Sequence, residues 1–198
     1  MKAALLLSGG MDSVALAYWL RPAAAVTVDY GQAPAAGEIR AAAAVAEALD
    51  IRHEVITVDC GSLGSGDLIN RPSAALAPMP EWWPYRNQLL LTLVAMKLVG
   101  EGVEQLWIGT VKSDSAHADG TPAFVEAVSG LLALQEGGMQ VCAPAIGMSS
   151  AELIQRSGIP RELLAYAHSC HTSPLACGRC RGCCKHYETL EALGFDPY

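Results

Sequence analysis

The sequence predicts an α/β protein in which a doubly wound parallel sheet is followed by a small C-terminal module. Short apolar runs alternate with longer helical patterns through the first two thirds of the 198 residues. Such alternation favours right-handed crossovers and a parallel sheet with helices on both of its faces. Most of the 7 cysteines lie near the C-terminal end and set that part apart. We expect an α/β domain over residues 1–159 and a cysteine-rich helical module over residues 160–198 packed on it.

The hydrophobic pattern places the individual elements. Buried parallel strands are expected at residues 3–7, 25–29, 53–58 and 105–109. Helices are expected at residues 13–20, 35–49, 87–99, 122–134 and 149–156. Residues 61–85 are rich in Gly, Pro and Ser and are too long for a simple turn, which is typical of a lid or a substrate loop. Trp82 and Trp83 are expected to be exposed there, in such a lid or in a subunit interface.

Composition and charge narrow the class of protein. Hydrophobic residues make up 52% of the chain and charged residues 17%, so a sizeable core can form. The formal net charge of -7 and the lack of a basic block disfavour nucleic acid as the main partner. No run reaches the ~20 apolar residues of a membrane span, and the apolar run before Ser8 resembles a buried strand more than a signal peptide. We expect a cytoplasmic protein without a membrane partner.

The first predicted strand runs into a Ser-Gly-Gly-x-Asp-Ser motif and then directly into a helix; the segment comprises Leu7, Ser8, Gly9, Gly10, Met11, Asp12 and Ser13. Glycines let backbone N–H groups approach a phosphate, and a helix N-terminus presents further unpaired N–H groups to it. Ser8 and Ser13 can add hydroxyl donors. Asp12 beside a phosphate indicates either Mg²⁺ or a helix-capping role. The segment differs from both the P-loop and the G-x-G-x-x-G fingerprint.

Polar side chains also follow the second strand and precede the third helix. The second strand ends in Asp29, Tyr30 and Gln32, which are expected at the same sheet edge as the phosphate motif. Arg86 and Asn87 follow a proline and open the third helix. A guanidinium fork suits a carboxylate or a phosphate because it can donate two parallel hydrogen bonds. An ordinary turn and a surface ion pair are the alternatives for these two segments.

The C-terminal cysteines have the spacing of a metal site. Cys170, Cys177, Cys180 and Cys183 offer four thiolates within fourteen residues, with two C-x2-C pairs among them. Such pairs are typical of tetrahedral zinc, and four thiolates leave no open position for catalysis, so we expect a structural Zn²⁺. Cys184 competes with Cys183 for the fourth place. An iron–sulfur cluster and thiol redox chemistry at the Cys177–Cys180 pair are the alternatives.

Together these segments resemble the QueC family, the 7-cyano-7-deazaguanine synthases. The similarity covers nearly the whole chain in order, from LLLSGGMDSVALAY through TVDYGQ and the Arg86–Asn87 pair to the terminal cysteines. The resemblance implies a HUP-like, PP-loop ATPase fold. It implies a ligase that uses ATP and Mg²⁺ to adenylate 7-carboxy-7-deazaguanine and ammonia to form 7-cyano-7-deazaguanine, releasing AMP and pyrophosphate. It also suggests a homodimer.

The resemblance implies roles for individual residues. The catalytic candidates are Asp12, Arg86 and Lys112. The candidates for ATP binding are Leu7, Ser8, Gly9, Gly10, Met11, Asp12, Ser13, Asp29 and Tyr30. The candidates for substrate binding are Gln32, Arg86, Asn87, Asp114, His117 and Asp119, of which Asp119 suits the N–H groups of a deazaguanine. The metal candidates are Cys170, Cys177, Cys180 and Cys183.

Residues 109–121 depart from the family pattern, and this leaves other functions open. One alternative is a QueC-like enzyme that joins the activated carboxylate to another amine, for example on a protein. A second is a PP-loop enzyme that modifies tRNA, which the net charge of -7 disfavours. A third is a zinc-stabilised binding module without catalysis, which would bind nucleotide but release no AMP.

Overall fold

The computed structural model describes residues 1–196, in which strands and helices alternate along the chain. The strands are β1 (Ala3–Leu6), β2 (Ala24–Asp29), β3 (Arg52–Thr57), β4 (Gln105–Trp107) and β5 (Gln140–Cys142). The helices are α1 (Met11–Leu20), α2 (Ala35–Ala48), α3 (Arg86–Leu98), α4 (Pro122–Ala133), α5 (Ser150–Ser157), α6 (Arg161–Leu164) and α7 (Arg181–Ala192). Shorter 3₁₀ turns lie in the connections.

The strands form one parallel sheet in the order β3-β2-β1-β4-β5. The chain moves outward from β1 to β3, then returns to the other side of β1 and continues to β5. This reversal confirms the predicted doubly wound α/β fold, and it is consistent with a PP-loop fold. Loops leave the sheet in opposite directions at such a reversal, so a crevice opens at the carboxyl ends of β1 and β4.

The hydrophobic core lies on both faces of the sheet. Residues of β1 point alternately to the two sides, as a strand requires, with Leu5 in one buried cluster and Ala4 in the other. The Leu5 cluster includes residues of α1, α2 and α5, and the Ala4 cluster includes residues of α3 and α4. Because both faces are covered, β1 is a continuous apolar run, and β2 is interrupted only by the buried Thr27 before it ends in Asp29. Packing on both faces therefore holds β1 in place, and with it the carboxyl end of the strand after which the phosphate motif begins.

The C-terminal segment packs on the α1 side of the sheet. Leu163 and Leu164 of α6 and Leu190 of α7 belong to the same buried cluster as Leu5. Cys170, Cys180 and Cys183 form a small cluster of their own near the start of α7. A helical, cysteine-rich end thus agrees with the prediction, while the boundary at residue 159 stays a prediction.

Every predicted strand and helix occurs within two residues of its expected bounds. Two short elements were not predicted, because β5 and α6 have only 3 and 4 residues and carry too little periodic signal. The expected exposure of Trp83 is wrong: its side chain is 3% exposed and packs edge-on against Tyr30, with ring centroids 4.9 Å apart. Burial of two aromatic rings outweighs any need for an exposed lid residue. None of the helices within residues 1–196 has both the length and the apolar character for crossing a membrane.

Candidate functional site

A cleft of about 490 Å³ opens at the carboxyl ends of the strands, where the chain reverses between β1 and β4. Most of the predicted site residues line it, namely Ser8, Gly10, Met11, Asp12, Ser13, Tyr30, Arg86, Asn87, Asp114, His117 and Asp119. Leu7, Gly9, Asp29, Gln32 and Lys112 are not part of the lining. Segments that are far apart in the sequence therefore meet in one cavity.

The phosphate motif forms a tight turn against α2. Gly9 has a φ of 76°, and a Cβ at this residue would lie 2.6 Å from the Glu38 carbonyl oxygen. Only glycine fits such a position without strain. Gly10 is the N-cap of α1 and provides no side-chain cap, so N–H groups of the first turn lack a side-chain acceptor. The residues of that turn line the cleft, and the arrangement suits an anion.

Hydroxyl groups hold the turn from inside. Ser13 Oγ donates to the Gly10 carbonyl at 2.9 Å and lies 3.1 Å from Ser8 Oγ. Behind the turn, Thr27 Oγ1 donates to the Leu7 carbonyl at 2.6 Å and lies 2.8 Å from His53 Nε2. Because the Thr27 hydrogen is already donated, His53 Nε2 carries the hydrogen of that second bond. Leu7 thus supports the turn from the core and is not part of the cleft lining, and its predicted role in ATP binding stays a prediction.

Asp12 does not cap α1 but faces a lysine from the other end of the chain. Its Oδ2 accepts a hydrogen bond from Lys185 Nζ at 3.0 Å, and Asp114 Oδ1 lies 3.3 Å from the same nitrogen. Burial raises the pKa of Asp12, and the Lys185 charge opposes this effect. Burial alone would lower the pKa of Lys185, but the two carboxylates outweigh it and raise that pKa. Ser150 of α5 is a further side-chain partner of the Asp12 carboxylate, and its hydrogen bond also opposes the rise in the pKa of Asp12.

The position of Lys112 gives no support to its predicted catalytic role. The residue is exposed at the start of a 3₁₀ turn, Lys112–Ala116, outside the lining of the cleft. Its charge acts on Glu152 of α5 instead. The lysine that lies beside Asp12 is Lys185, which was not among the catalytic candidates. Lys185 lies 173 residues from Asp12 in the chain, so no local pattern indicates the pairing.

A second group of charges lies around Arg86 on the opposite wall. Burial disfavours the Arg86 cation, but Tyr30, Asp119, Glu38 and Asp114 outweigh that effect and raise the pKa of Arg86. Burial also raises the pKa of Glu38 to about 7, despite the hydrogen bond from Gln32. A carboxyl group that titrates near neutral pH inside a cleft can take up and release protons there.

Gln32 organises this wall from behind. Its Nε2 donates to Glu38 Oε2 at 2.7 Å and to the Val28 carbonyl at 3.1 Å. Its Oε1 accepts from the Tyr30 backbone N–H at 2.8 Å. Asp29 is engaged in the same turn, where its Oδ1 accepts from the Gly31 N–H at 3.1 Å. Both side chains therefore stabilise the end of β2 and hold Tyr30 and Glu38 toward the cleft.

Asn87 and Asp119 form a pair at the start of α3. The Asn87 backbone N–H donates to Asp119 Oδ2 at 3.2 Å, and Asn87 Nδ2 donates to the Asp119 carbonyl at 2.9 Å. Asp119 thus satisfies an N–H group of the first helical turn, where a negative charge is favourable. The pair joins the loop after β4 to the helix that carries Arg86. It presents a carboxylate and an amide together in the cleft.

The long connection before α3 is tied across the cleft by Glu81. This buried carboxylate pairs with Arg181 of α7 and accepts a hydrogen bond at 3.1 Å from His117 Nε2. Burial would raise its pKa, but the hydrogen bonds and the charges of Arg181 and His171 outweigh it and lower the pKa of Glu81 to about 2. A cation and a histidine from two further segments therefore meet on one ionised carboxylate.

The four predicted metal residues come together at the start of α7. Cys170, Cys177, Cys180 and Cys183 have sulfur atoms within 4.8 Å of one another. The Cys177–Cys183 and Cys170–Cys180 sulfur pairs lie 4.0 and 3.9 Å apart. Around one zinc ion, with bonds of about 2.3 Å, tetrahedral geometry requires sulfurs about 3.8 Å apart. These residues fit one metal ion such as zinc, whereas Cys184 is exposed and lies outside the cluster.

Residues 2–194 match the family model of the queuosine biosynthesis protein QueC. This chain belongs to the QueC family. Similar proteins include the 7-cyano-7-deazaguanine synthase of Desulforudis audaxviator, which is 33% identical over 92% of this chain and 93% of that protein. The enzyme of the same name from Azotobacter vinelandii is 32% identical over 98% of this chain and 93% of its own length. The 7-cyano-7-deazaguanine synthase of Xanthomonas campestris is 34% identical over 98% of this chain and 92% of its own length.

The cleft of this QueC member is also lined by charged residues that were not among the predicted site residues, including Glu38, Glu81, Arg181 and Lys185. Glu38 lies in the Ala-rich helix α2, where a single acidic residue is also typical of a solvent-exposed face. Arg181 and Lys185 lie between and after the cysteines, where basic residues can also serve to balance the charge of the thiolates. Glu81 carries no local signal, since its partners lie 36 and 100 residues away.

Proposed function

We propose that this protein is an ATP-dependent ligase that converts 7-carboxy-7-deazaguanine and ammonia into 7-cyano-7-deazaguanine, with release of AMP and pyrophosphate. One observation carries the proposal: the glycine turn and the open N-terminus of α1 line the same cleft as Arg86 and Asp119. A phosphate site and a site for a polar heterocyclic acid are therefore adjacent. The names of the similar QueC proteins supply the product, 7-cyano-7-deazaguanine, and the carboxylic acid is the substrate that we propose for it.

The reaction activates a carboxyl group twice. A carboxylate oxygen attacks the α-phosphorus of ATP and pyrophosphate leaves; ammonia then attacks the acyl carbon, loses a proton and displaces AMP, which gives the amide. The amide oxygen attacks a second ATP in the same way. Loss of AMP and of the remaining N–H protons leaves the nitrile. Throughout, the protein has to neutralise phosphate charge and align oxygen with phosphorus.

The phosphate turn supplies the donors for the departing pyrophosphate. First-turn N–H groups of α1 and the hydroxyls of Ser8 and Ser13 lie together at the cleft wall. A phosphate oxygen can accept the hydrogen bonds that these groups otherwise make within the turn. It is then also stabilised by the positive end of the α1 dipole. Donors that are already oriented lose little free energy to reorganisation in the transition state.

Asp12 and Asp114 fit Mg²⁺ in the chemistry of their donor atoms. Magnesium prefers carboxylate oxygens together with phosphate oxygens, and both residues line the cleft, with Asp12 in the first turn of α1. The Asp12 carboxylate is buried in this wall, with Lys185 and Ser150 as its side-chain partners. The ion would supply charge neutralisation at the phosphates when bound. Asp12 is thereby a catalytic candidate through its position beside the phosphates.

Arg86, Asn87 and Asp119 suit the substrate. The Arg86 guanidinium can hold the carboxylate that is to be activated, since its charge is retained in the cleft. Asp119 and Asn87 offer acceptor and donor atoms to the heterocycle. Glu38 lies beside Arg86 and titrates at a pKa of about 7, so it is suited to accept the proton that ammonia loses as it attacks.

The test is mass spectrometry of products after incubation with ATP, Mg²⁺, 7-carboxy-7-deazaguanine and ammonium. We expect the nitrile and two AMP for each nitrile formed. An Asp12→Asn variant should lose activity by a factor of 100 or more, about 3 kcal/mol of transition-state stabilisation. Asp50→Asn, on the exposed turn after α2, is the matched control and should not change the rate.

Other products would separate the remaining candidates. AMP together with an amide, or with a mass increase on a protein, would replace nitrile formation by ligation to another amine. AMP formation that does not depend on the deazaguanine would contradict the proposed substrate. Absence of any AMP would contradict the ligase itself.

A further inference from the structure

The phosphate turn contains no cation of its own. Neither lysine nor arginine occurs between Ser8 and Ser13, and the donors there are neutral backbone and hydroxyl groups. A polyphosphate that enters this wall brings several negative charges next to the Asp12 carboxylate. Helix-end charges are only fractions of a unit charge, so they cannot balance a polyphosphate alone. The site needs a full positive charge from another part of the chain.

Three such charges line the cleft within residues 1–196: Arg86, Arg181 and Lys185. Arg86 lies among Tyr30, Glu38 and Asp119 on the opposite wall. Arg181 pairs with Glu81. Lys185 alone of the three pairs with a residue of the phosphate turn, at 3.0 Å from Asp12 Oδ2. Its side chain is 36% exposed, so the ammonium is both held and open to the cleft.

The start of α7 is fixed against the phosphate turn through His168 and Ser169. The His168 backbone N–H donates to the Gly9 carbonyl at 2.8 Å, which joins the two segments. A Cβ at Gly182 would lie 1.9 Å from the Ser169 carbonyl oxygen, so α7 approaches that backbone as closely as glycine permits. These contacts hold Lys185, one turn further along α7, at a set distance from Asp12.

The cysteine cluster anchors the same turn of α7. Cys180 is the N-cap, and its sulfur accepts from the Cys183 N–H at 3.5 Å. Both residues belong to the four-sulfur cluster, and Lys185 follows Cys183 by two residues. Any ion that draws the four sulfurs together also fixes the direction in which Lys185 leaves the helix.

We propose that Lys185 is the phosphate-binding cation of this site and that the cysteine cluster positions it. Without a nucleotide its ammonium holds Asp12 and Asp114 together. When a polyphosphate binds, the ammonium pairs with phosphate oxygens while the carboxylates remain available to a divalent cation. The cysteine module is then part of the nucleotide site rather than a structural appendix. This inference depends on the proposed function only for the use of ATP, not for the deazaguanine or the nitrile.

The test is titration calorimetry of the zinc-loaded protein with Mg²⁺ and either ATP or inorganic pyrophosphate, without any deazaguanine. Lys185→Met should weaken both ligands by about 10- to 100-fold, because a charge-assisted hydrogen bond is lost. Lys185→Arg should restore binding to within about fivefold, and adenosine should bind all variants equally. Lys97→Met, which removes an exposed lysine paired with Glu54, is the matched control and should have no effect.

Two further measurements separate a binding role from a structural one. Zinc content and melting temperature should be unchanged in Lys185→Arg. In the unmodified protein, pyrophosphate should protect Lys185 from acetylation and leave Lys97 as reactive as before, as measured by mass spectrometry. This experiment does not depend on whether a Lys185 variant folds.

Pyrophosphate affinity within about threefold of the unmodified protein in a zinc-loaded Lys185→Met variant would overturn the inference. So would the lack of protection of Lys185, or the lack of any binding of ATP and pyrophosphate. A protein that binds ATP through Lys185 but forms no nitrile would contradict the proposed function and leave this inference standing.

Discussion

Single residues of the phosphate turn are constrained by their neighbours more than by a ligand. Gly9 combines a positive φ with a close approach to the Glu38 carbonyl oxygen. Glu38 belongs to the first turn of α2, so the glycine sets the distance between the turn and a wall of the cleft. The glycine that shapes the turn thereby also determines where the carboxyl group of Glu38, with its pKa of about 7, lies.

Gly9→Ala should therefore destabilise the protein by about 2–4 kcal/mol, because left-handed strain and a steric clash add. Gly158→Ala is the matched control: its φ of 66° is similar, but nothing lies within 4 Å of the added Cβ. Gly158→Ala should lower the free energy of unfolding by only about 1 kcal/mol. Urea unfolding of both variants checks the difference. Equal losses of stability in the two variants would show that the close approach of Gly9 to the Glu38 carbonyl oxygen does not affect the free energy of unfolding.

Glu38 should make stability depend on pH. Its folded pKa of about 7 exceeds its ordinary value of 4.5, so folding favours the protonated form. The carboxyl group therefore costs no stability below about pH 4.5, and its cost grows as pH rises and is complete above pH 7. Glu38→Gln should be stabilised relative to the unmodified protein by about 2 kcal/mol at pH 8 and by nearly nothing at pH 4.5.

Thermal unfolding across that pH range measures the effect of the Glu38 substitution. Glu47→Gln, at an exposed position near the end of the same helix, is the matched control. A difference between Glu38→Gln and the unmodified protein that stays constant with pH would show that burial does not perturb this carboxyl group.

At the scale of elements, the cleft is closed by connections rather than by the sheet. The segment before α3, the 3₁₀ turns after β4 and the first turn of α7 meet at Glu81, His117 and Arg181. Each of these segments is irregular or short, and each gains its order from polar contacts with the others. Because α7 carries the cysteine cluster at its start, that cluster supports the whole rim.

Cys183→Ser should lose the metal and destabilise α7, since a structural zinc site contributes folding free energy directly. We expect zinc content to fall from about one per chain to below about a fifth, together with a lower melting temperature. Cys184→Ser is the matched control, because Cys184 is the exposed neighbour outside the cluster. Equal zinc loss in both variants, measured by elemental mass spectrometry, would contradict the assigned ligand set.

At the scale of the whole molecule, a net charge of -7 coexists with a cleft in which Arg86, Arg181 and Lys185 lie among a larger number of carboxylates. The topology produces this result, since the reversal between β1 and β4 brings the ends of distant segments to one edge. The net charge disfavoured nucleic acid as a partner but gave no information about the local field of the cleft.

The sequence by itself determined the features that depend only on residues close together in the chain. Strand–helix alternation, the glycine turn after β1 and the spacing of the four cysteines are local patterns, and each follows from backbone geometry or ligand geometry over a few residues. Only the tertiary structure decided that Lys185 faces Asp12, that Trp83 is buried on Tyr30, and that Glu38 titrates near neutral pH. The reason is physical: desolvation and ion pairing depend on distances between residues that are remote in sequence, and folding alone sets those distances.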